Sequence, residues 1–187
     1  MKLVLRLASV GLIIAVCAVF WIRRSHGPEL PVLQFEDVGM QKNAGRVSKA
    51  NGSTLKVGQS VPLGTEFKLA EQSSVQIVTE GNWIVEMDGQ GEFSFENALT
   101  NADRTIHTAY WFVRKGELKI RPKEYDPAEH YMQIRTPIAR VFLHRGEAGM
   151  KVTEGGGGQI WIYSGTATIV WDDGRRKEIH SRGMEYI

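Results

Sequence analysis

Residues 73–95 read SSVQIVTEGNWIVEMDGQGEFSF, and apolar and polar side chains alternate at both ends of this stretch. Val75 and Ile77 share one face of the first run, and Phe93 and Phe95 share one face of the last. An alternation with a period of two is typical of a strand that buries one face and exposes the other. The glycine and asparagine residues between the runs favour tight turns, so the stretch predicts consecutive β-strands.

The same alternation continues toward the carboxyl terminus. The matching apolar pairs are Leu118 and Ile120, Met150 and Val152, and Ile160 and Ile162. Turns are predicted at Asp88-Gly89, Lys115-Gly116, Ser164-Gly165 and Asp173-Gly174. This spacing gives roughly a dozen strands of about five residues, and no long helical period follows residue 24. The predicted fold class is all-β, as a sandwich, a jelly roll or a short β-helix-like domain.

The first 24 residues differ in composition, because Leu3–Ile22 is predominantly apolar and has Arg6 as its single charged residue. A helix of this length, rising about 1.5 Å per residue, spans about 30 Å, the thickness of the hydrocarbon core of a bilayer. The bulky residues of 19–24 offer no signal-peptidase site, which favours an uncleaved signal anchor over a cleaved signal peptide. Residues 1–24 are therefore predicted to be a single-pass transmembrane helix.

Small residues recur in this helix at spacings of four and three, at Gly11, Ala15 and Ala18. They are candidates for packing against another membrane helix, and a featureless anchor is the alternative. Two prolines then favour an extended linker over residues 25–42. The β domain is expected to cover residues 43–187.

The charge distribution disfavours a nucleic-acid partner. The formal net charge is +2, but residues 1–24 contain four basic residues and no acid, which leaves 19 basic against 21 acidic residues for the rest. A nucleic-acid binder needs a basic face to displace counterions from phosphate. The one cysteine is Cys17, so the β region is expected to have neither an internal disulfide nor a thiolate metal site.

Catalytic motifs are not found. The five histidines are scattered, and no serine lies in a nucleophile elbow. The run Gly155–Gly158 lacks the lysine and hydroxyl residue of a phosphate loop and is predicted to be a flexible hairpin tip. We therefore expect no enzyme activity, no cofactor and no metal.

The aromatic residues fall into two predicted groups. Trp83 and Trp111 are expected in the β core. Trp161 and Tyr163 lie on the strand face opposite the aliphatic Ile160 and Ile162, so one of these two faces must be covered by another layer or by a partner. Trp161, Tyr163 and Trp171 are the interface candidates, and stacking on cell-wall sugars is the alternative role for exposed tryptophans.

The order of strands and turns carries a family resemblance. Its best markers are the turn Thr136-Pro137-Ile138-Ala139 and the step Arg145-Gly146, accompanied by runs such as Gly116–Ile120 and Gly165–Ile169. The chain resembles the periplasmic domain of the FecR family over roughly residues 43–187. Members usually have threonine after the arginine-glycine step, where this chain has Glu147.

The resemblance implies a location at the outer face of the bacterial inner membrane, with the β domain in the periplasm. The best-known members also carry a cytoplasmic arm that contacts a sigma factor, and the few residues before the apolar segment do not match such an arm. We expect a membrane-anchored protein-interaction module, either a structural or accessory subunit of an envelope complex or a signal relay. Its partners would be other envelope or inner-membrane proteins. A module that binds cell-wall polysaccharide, with peptidoglycan as partner, and a FecR-type transmembrane regulator acting through a separate partner are the alternatives.

Overall fold

The computed structural model describes residues 41–42, 45–79, 82–102, 106–123 and 129–187. Every regular secondary-structure element in these ranges is a β-strand, which confirms the all-β prediction. None of the described ranges contains a helix with the length and hydropathy needed to cross a membrane. The anchor predicted for residues 1–24, with Gly11, Ala15 and Ala18, lies outside the described residues.

Twelve strands are present in the described part of the chain. They are β1 (Gln41–Lys42), β2 (Gly45–Asn51), β3 (Ser60–Val61), β4 (Thr65–Leu69), β5 (Ser74–Thr79), β6 (Trp83–Thr100), β7 (Ile106–Pro122), β8 (Glu129–Arg135), β9 (Ala139–Val152), β10 (Gly158–Trp171), β11 (Arg176–His180) and β12 (Gly183–Tyr186).

The four long strands β6, β7, β9 and β10 change partners halfway along, which divides the sheet into two layers. Layer 1 contains β2, β5 and β12 with residues 83–88, 116–120, 148–152 and 158–162 of the long strands. Layer 2 contains β4, β8 and β11 with residues 91–100, 106–113, 139–144 and 166–171. All these pairings are antiparallel except the parallel pair β7–β8. The long strands therefore connect the two layers without a loop.

Glycines lie where the long strands change partners. Register shifts occur between Asp88 and Glu92 in β6 and between Gly165 and Thr166 in β10. Gly116 in β7 has a φ of 116° and is packed so closely that an added Cβ would lie 2.6 Å from the Phe93 ring. Such irregularities bend a strand and increase its twist.

Three of the predicted turns are corrected by this arrangement. Asp88-Gly89, Lys115-Gly116 and Ser164-Gly165 lie inside continuous strands rather than between strands. A turn reverses the chain when the flanking segments pair with each other, and here the flanking segments pair with other strands in two different layers. The prediction at Asp173-Gly174 is confirmed, because this turn joins β10 to β11.

One hydrophobic core fills the space between the buried faces of the two layers. The alternating residues predicted to face inward, including Phe93, Phe95, Leu118 and Ile120, are all buried. The core tryptophan predictions are also confirmed, since Trp83 and Trp111 are both 0% exposed. The Trp111 ring stacks on Phe95 with 4.8 Å between ring centroids and on Phe67 with 6.0 Å.

The Thr-Pro-x-Ala motif forms the reversal between β8 and β9. The Thr136 N–H donates to the Ala139 carbonyl at 2.8 Å, and the buried Thr136 hydroxyl accepts the Ala139 N–H at 3.1 Å. The threonine therefore satisfies backbone groups that a tight buried reversal would otherwise leave unpaired. The run Gly155–Gly158 lies at the hairpin between β9 and β10, as the sequence predicts.

Candidate interaction surface

Four large side chains share the outer face of layer 1 at its β12 edge, and we call them the aromatic patch: Trp161, Tyr163, Met184 and Tyr186. Ile160 and Ile162 point into the core, so Trp161 and Tyr163 point outward on the same strand. Met184 is directly opposite Trp161 in the register of β10 and β12, and Tyr186 is opposite Gln159. Tyr163, Met184 and Tyr186 are 49%, 48% and 63% exposed. A contiguous exposed apolar group of this kind is typical of a binding surface.

A glycine in the neighbouring strand lies beneath two of the aromatic rings of the patch. Gly149 pairs with Trp161, and a Cβ added to Gly149 would lie 3.1 Å from the Tyr163 hydroxyl and 3.5 Å from the Trp161 ring. The absence of a side chain at this position lets both rings lie close to the sheet.

The strand that carries Met184 and Tyr186 is fixed at both ends. Gly158 and Ile187 exchange two backbone hydrogen bonds of 2.8 and 3.0 Å, and the Arg182 N–H donates to the Ile162 carbonyl at 2.7 Å. An ion pair between Lys177 of β11 and Glu185 of β12 links the edges of the two layers. The exposed side chains are thus presented by a backbone that is hydrogen-bonded to the rest of the sheet.

Charged residues of both signs surround the patch, and the acidic ones include Glu117, opposite Lys151, and Glu147, opposite Ser164. Lys151 and Lys119 lie on the adjoining strands of layer 1, and both are exposed. Arg182, immediately before β12, is exposed and forms no ion pair with any residue in the described ranges. A carboxylate of a partner would therefore find its unpaired counterpart at Arg182.

Trp171, the third interface candidate from the sequence, lies elsewhere. It ends β10 in layer 2, is partly buried against the core, and has the Arg175 guanidinium 5.1 Å from its ring. The structure therefore brings Trp161 and Tyr163 together and leaves Trp171 apart from them. The side chain of Trp171 contributes to packing at the β10–β11 turn.

Met184 and Tyr186 were not among the residues selected from the sequence. Their strand is four residues long, which is too short for an alternation pattern to be distinguished from a turn. The available signal was the alternation of Met184 and Tyr186 about Glu185, close to the alternating Trp161 and Tyr163. Only the pairing of β10 with β12 shows that the two alternating segments lie side by side.

The outer face of layer 2 carries a second depression, a groove of about 280 Å³ lined by charged residues on both sides of Phe112. Four of its six charged residues are paired within the protein: Arg114 Nε lies 3.6 Å from Glu92 Oε2, and Arg135 Nη2 lies 2.5 Å from Glu96 Oε1. The Arg135 guanidinium also lies 4.8 Å from the Phe112 ring. Ion pairs that already satisfy one another offer little to an incoming ligand, so the groove is a weaker candidate than the aromatic patch.

Metal binding has no counterpart in the described geometry. Within residues 41–42, 45–79, 82–102, 106–123 and 129–187, no group of histidine, cysteine, aspartate or glutamate side chains is arranged to hold a metal ion.

Comparison with known proteins gives a likeness of fold. No family model matches the sequence, and no curated protein matches it. The chain is similar to the crystal structure of a proposed anti-sigma factor from Parabacteroides distasonis ATCC 8503, with 11% identity and a TM-score of 0.50 over 66% of this chain and 54% of that chain. A second crystal structure with the same description gives 11% identity and a TM-score of 0.48 over 67% of this chain and 55% of that chain.

The chain thus spans about half the length of the solved structures it matches. At 11% identity the similarity shows a shared fold. The β domain therefore has an architecture that is also found in a proposed bacterial anti-sigma factor.

Proposed function

We propose that this chain is a FecR-like interaction module of the bacterial envelope, anchored in the inner membrane by residues 1–24, with its β domain in the periplasm. In this proposal the domain binds another envelope protein, as a subunit of a complex or as part of a signal relay. It has no catalytic role. The observation that carries the proposal is the aromatic patch of Trp161, Tyr163, Met184 and Tyr186.

The composition of the patch favours a protein partner. Interface hot spots are enriched in tryptophan and tyrosine, because these side chains bury a large area at a small cost in conformational entropy. Methionine adapts to irregular partner surfaces. Tyr186 and Tyr163 are exposed in a part of the sheet that is otherwise well packed, so covering them would bury apolar surface without rearranging the domain.

A role in signalling is supported by the fold likeness to a proposed anti-sigma factor and by the FecR resemblance of the sequence. In this form of the proposal, the domain acts through a separate partner in the membrane or periplasm. The patch would receive the signal from that partner.

A second candidate function is binding of cell-wall polysaccharide. Exposed aromatic rings on a flat sheet face can stack on sugar rings, and Tyr163 and Tyr186 have that exposure. Purified peptidoglycan offers a direct test with full-length protein and a Tyr163→Ala/Tyr186→Ala double variant. Loss of peptidoglycan binding in the variant, with no protein partner recovered, would favour this function over the first.

The proposed function is tested by recovering the full-length protein from its native membrane after cross-linking and gentle detergent extraction. The wild type should bring down a fixed set of envelope proteins at constant ratio. The Tyr163→Ala/Tyr186→Ala variant should recover at least about tenfold less, the equivalent of about 1.4 kcal/mol.

Val57→Ala provides the matched control, because Val57 is an exposed apolar residue in the loop between β2 and β3, outside the patch. This control should recover the wild-type amount. Equal recovery by the double variant and the wild type, or no recovery by the wild type, would contradict the proposal.

A further inference from the structure

The hydrogen-bond register of β12 determines which of its backbone groups are free. Gly158 and Ile187 exchange two hydrogen bonds, so they form a hydrogen-bonded pair of the antiparallel ladder. Such pairs alternate with pairs whose N–H and C=O groups point away from the partner strand. Trp161–Met184 and Gln159–Tyr186 belong to this second kind. The N–H and C=O groups of Met184 and Tyr186 therefore point away from β10.

These groups face an open sheet edge. Among the strands of the described ranges, β12 pairs only with β10. Natural edge strands are usually kept short or are protected by charged side chains, proline or a bulge. β12 is short and contains Glu185, but the backbone groups of Glu185 point toward β10. The two outward-facing residues of β12 are instead Met184 and Tyr186, which are uncharged and exposed. The edge thus combines free backbone groups with exposed apolar side chains.

A second copy of this chain is a poor occupant of the edge. Antiparallel pairing of β12 with itself centred on Met184 would place Arg182 opposite Tyr186 and give it no carboxylate, and pairing centred on Glu185 would place the Glu185 carboxylates of the two copies opposite each other. Like charges at such positions destabilise the pair.

Charge indicates a different occupant. Lys177 already pairs with Glu185, whereas the neighbouring Arg182 is exposed and has no ion-pair partner in the described part of the chain. An acidic residue beside Arg182 would complete the ion pairing along this edge. A polysaccharide could stack on the rings but would not supply the regular array of amide donors and acceptors that matches a strand.

We infer that an extended segment of a partner protein adds to β12 as a further strand. Its apolar side chains pack on Met184 and Tyr186, and an acidic side chain pairs with Arg182. Strand addition of this kind draws affinity from main-chain hydrogen bonds and specificity from alternate side chains. The inference rests on the proposed function, because it specifies how the aromatic patch engages its protein partner.

Proline substitution separates strand addition from simple side-chain packing. Because the Met184 N–H points away from β10, Met184→Pro removes an outward donor and leaves the hydrogen bonds to β10 intact. Met184→Ala removes the side chain and keeps the donor. Tyr186→Pro and Tyr186→Ala form an equivalent second pair in case one proline variant fails to fold.

The probe is a short synthetic peptide in which valine alternates with threonine and which has an aspartate at each end. A peptide with lysine in place of both aspartates is its control. Fluorescence anisotropy with the full-length protein should show binding of the aspartate peptide, weakened at least about tenfold by Met184→Pro and less by Met184→Ala. Arg182→Glu should reverse the preference between the two peptides.

The inference is overturned if Met184→Pro and Tyr186→Pro bind the peptide as well as the matching alanine variants, or if the wild type binds neither peptide. The same proline variants in the native-membrane recovery experiment distinguish this failure from failure of the proposed function. Recovery by each proline variant equal to that by its matching alanine variant, together with loss in Tyr163→Ala/Tyr186→Ala, would leave the proposed function standing and exclude strand addition.

Discussion

Glycines at the bends of the long strands let each strand continue from one layer into the other. Gly146 in β9 has a φ of 144°, and an added Cβ would lie 2.1 Å from the Ser164 carbonyl oxygen. Gly174 also has a positive φ, 86°, but nothing lies within 4 Å of its added Cβ. Gly155 has open space and no such backbone constraint. These three positions separate the effects of backbone strain and of close packing.

Alanine substitution should therefore destabilise the protein in a fixed order. We expect a loss of about 3 kcal/mol or more for Gly146→Ala, about 1 kcal/mol for Gly174→Ala and less than about 0.5 kcal/mol for Gly155→Ala. Urea unfolding followed by tryptophan fluorescence measures these losses. A Gly146→Ala variant as stable as Gly155→Ala would show that Gly146 does not lie in a tight bend of β9.

Tyr110 couples stability to alkaline pH. Burial raises the pKa of Tyr110 above its ordinary value of 10.0, and a hydrogen bond with Thr108 acts in the opposite direction. The unfolded chain therefore releases the phenol proton at a lower pH than the folded chain. The stabilisation by neutral Tyr110 is complete below pH 10.0 and is lost as the pH rises through the folded pKa.

The Tyr110→Phe variant tests this coupling, because it removes the titrating group and keeps the ring. The free energy of unfolding should fall less steeply for the variant than for the wild type above about pH 10. Measurement of urea unfolding at several pH values gives both slopes. Parallel slopes would mean that Tyr110 does not contribute to the alkaline loss of stability.

At the level of elements, the register of β12 makes a prediction about stability. Glu185 lies opposite Ile160, and the alternation set by Gly158 and Ile187 directs its N–H toward β10. Glu185→Pro should cost about 2–3 kcal/mol because it removes this ladder hydrogen bond. Met184→Pro should cost less than about 1 kcal/mol because its N–H points outward.

Glu185→Thr is the matched control for the lost ion pair with Lys177, since it removes the carboxylate and keeps the N–H. Thermal unfolding of the three variants gives their relative stabilities. If Met184→Pro were as unstable as Glu185→Pro, β12 would have to be paired one residue out of register.

The strands themselves were largely predictable from the sequence, and their partners were not. The alternation of Phe93 with Phe95 and of Leu118 with Ile120 identifies the inward face, because one side of each strand is buried. The same alternation continues through the bend at Asp88–Glu92, so it cannot show that β6 changes from one layer to the other. The parallel pairing of β7 with β8 is likewise a long-range choice that local residues do not reveal.

Two of the four residues of the aromatic patch could be predicted from the sequence, because alternation is visible there and strand pairing is not. Trp161 and Tyr163 were identifiable because they oppose the aliphatic residues of their own strand. Met184 and Tyr186 join them only through the pairing of β10 with β12. Trp171 looked equivalent in the sequence, but its strand has entered layer 2 by that point and the side chain packs beside Arg175.

At the level of the β domain, the two outer faces differ in chemistry. The outer face of layer 2 has arginine and glutamate side chains that pair with one another, as Arg135 does with Glu96. The β12 edge of layer 1 instead exposes apolar side chains and an uncompensated Arg182. A partner should therefore engage the domain from one side, at the aromatic patch.

Site-specific photo-cross-linking of the full-length protein in its native membrane tests most directly whether the aromatic patch binds a protein. A photoreactive amino acid replaces either Tyr186 in the aromatic patch or Val57 in the β2–β3 loop, both of them exposed positions. We expect a discrete protein adduct from position 186 and none from position 57. Equal adducts from both positions, or none from position 186, would contradict the claim that the aromatic patch is a protein-binding surface.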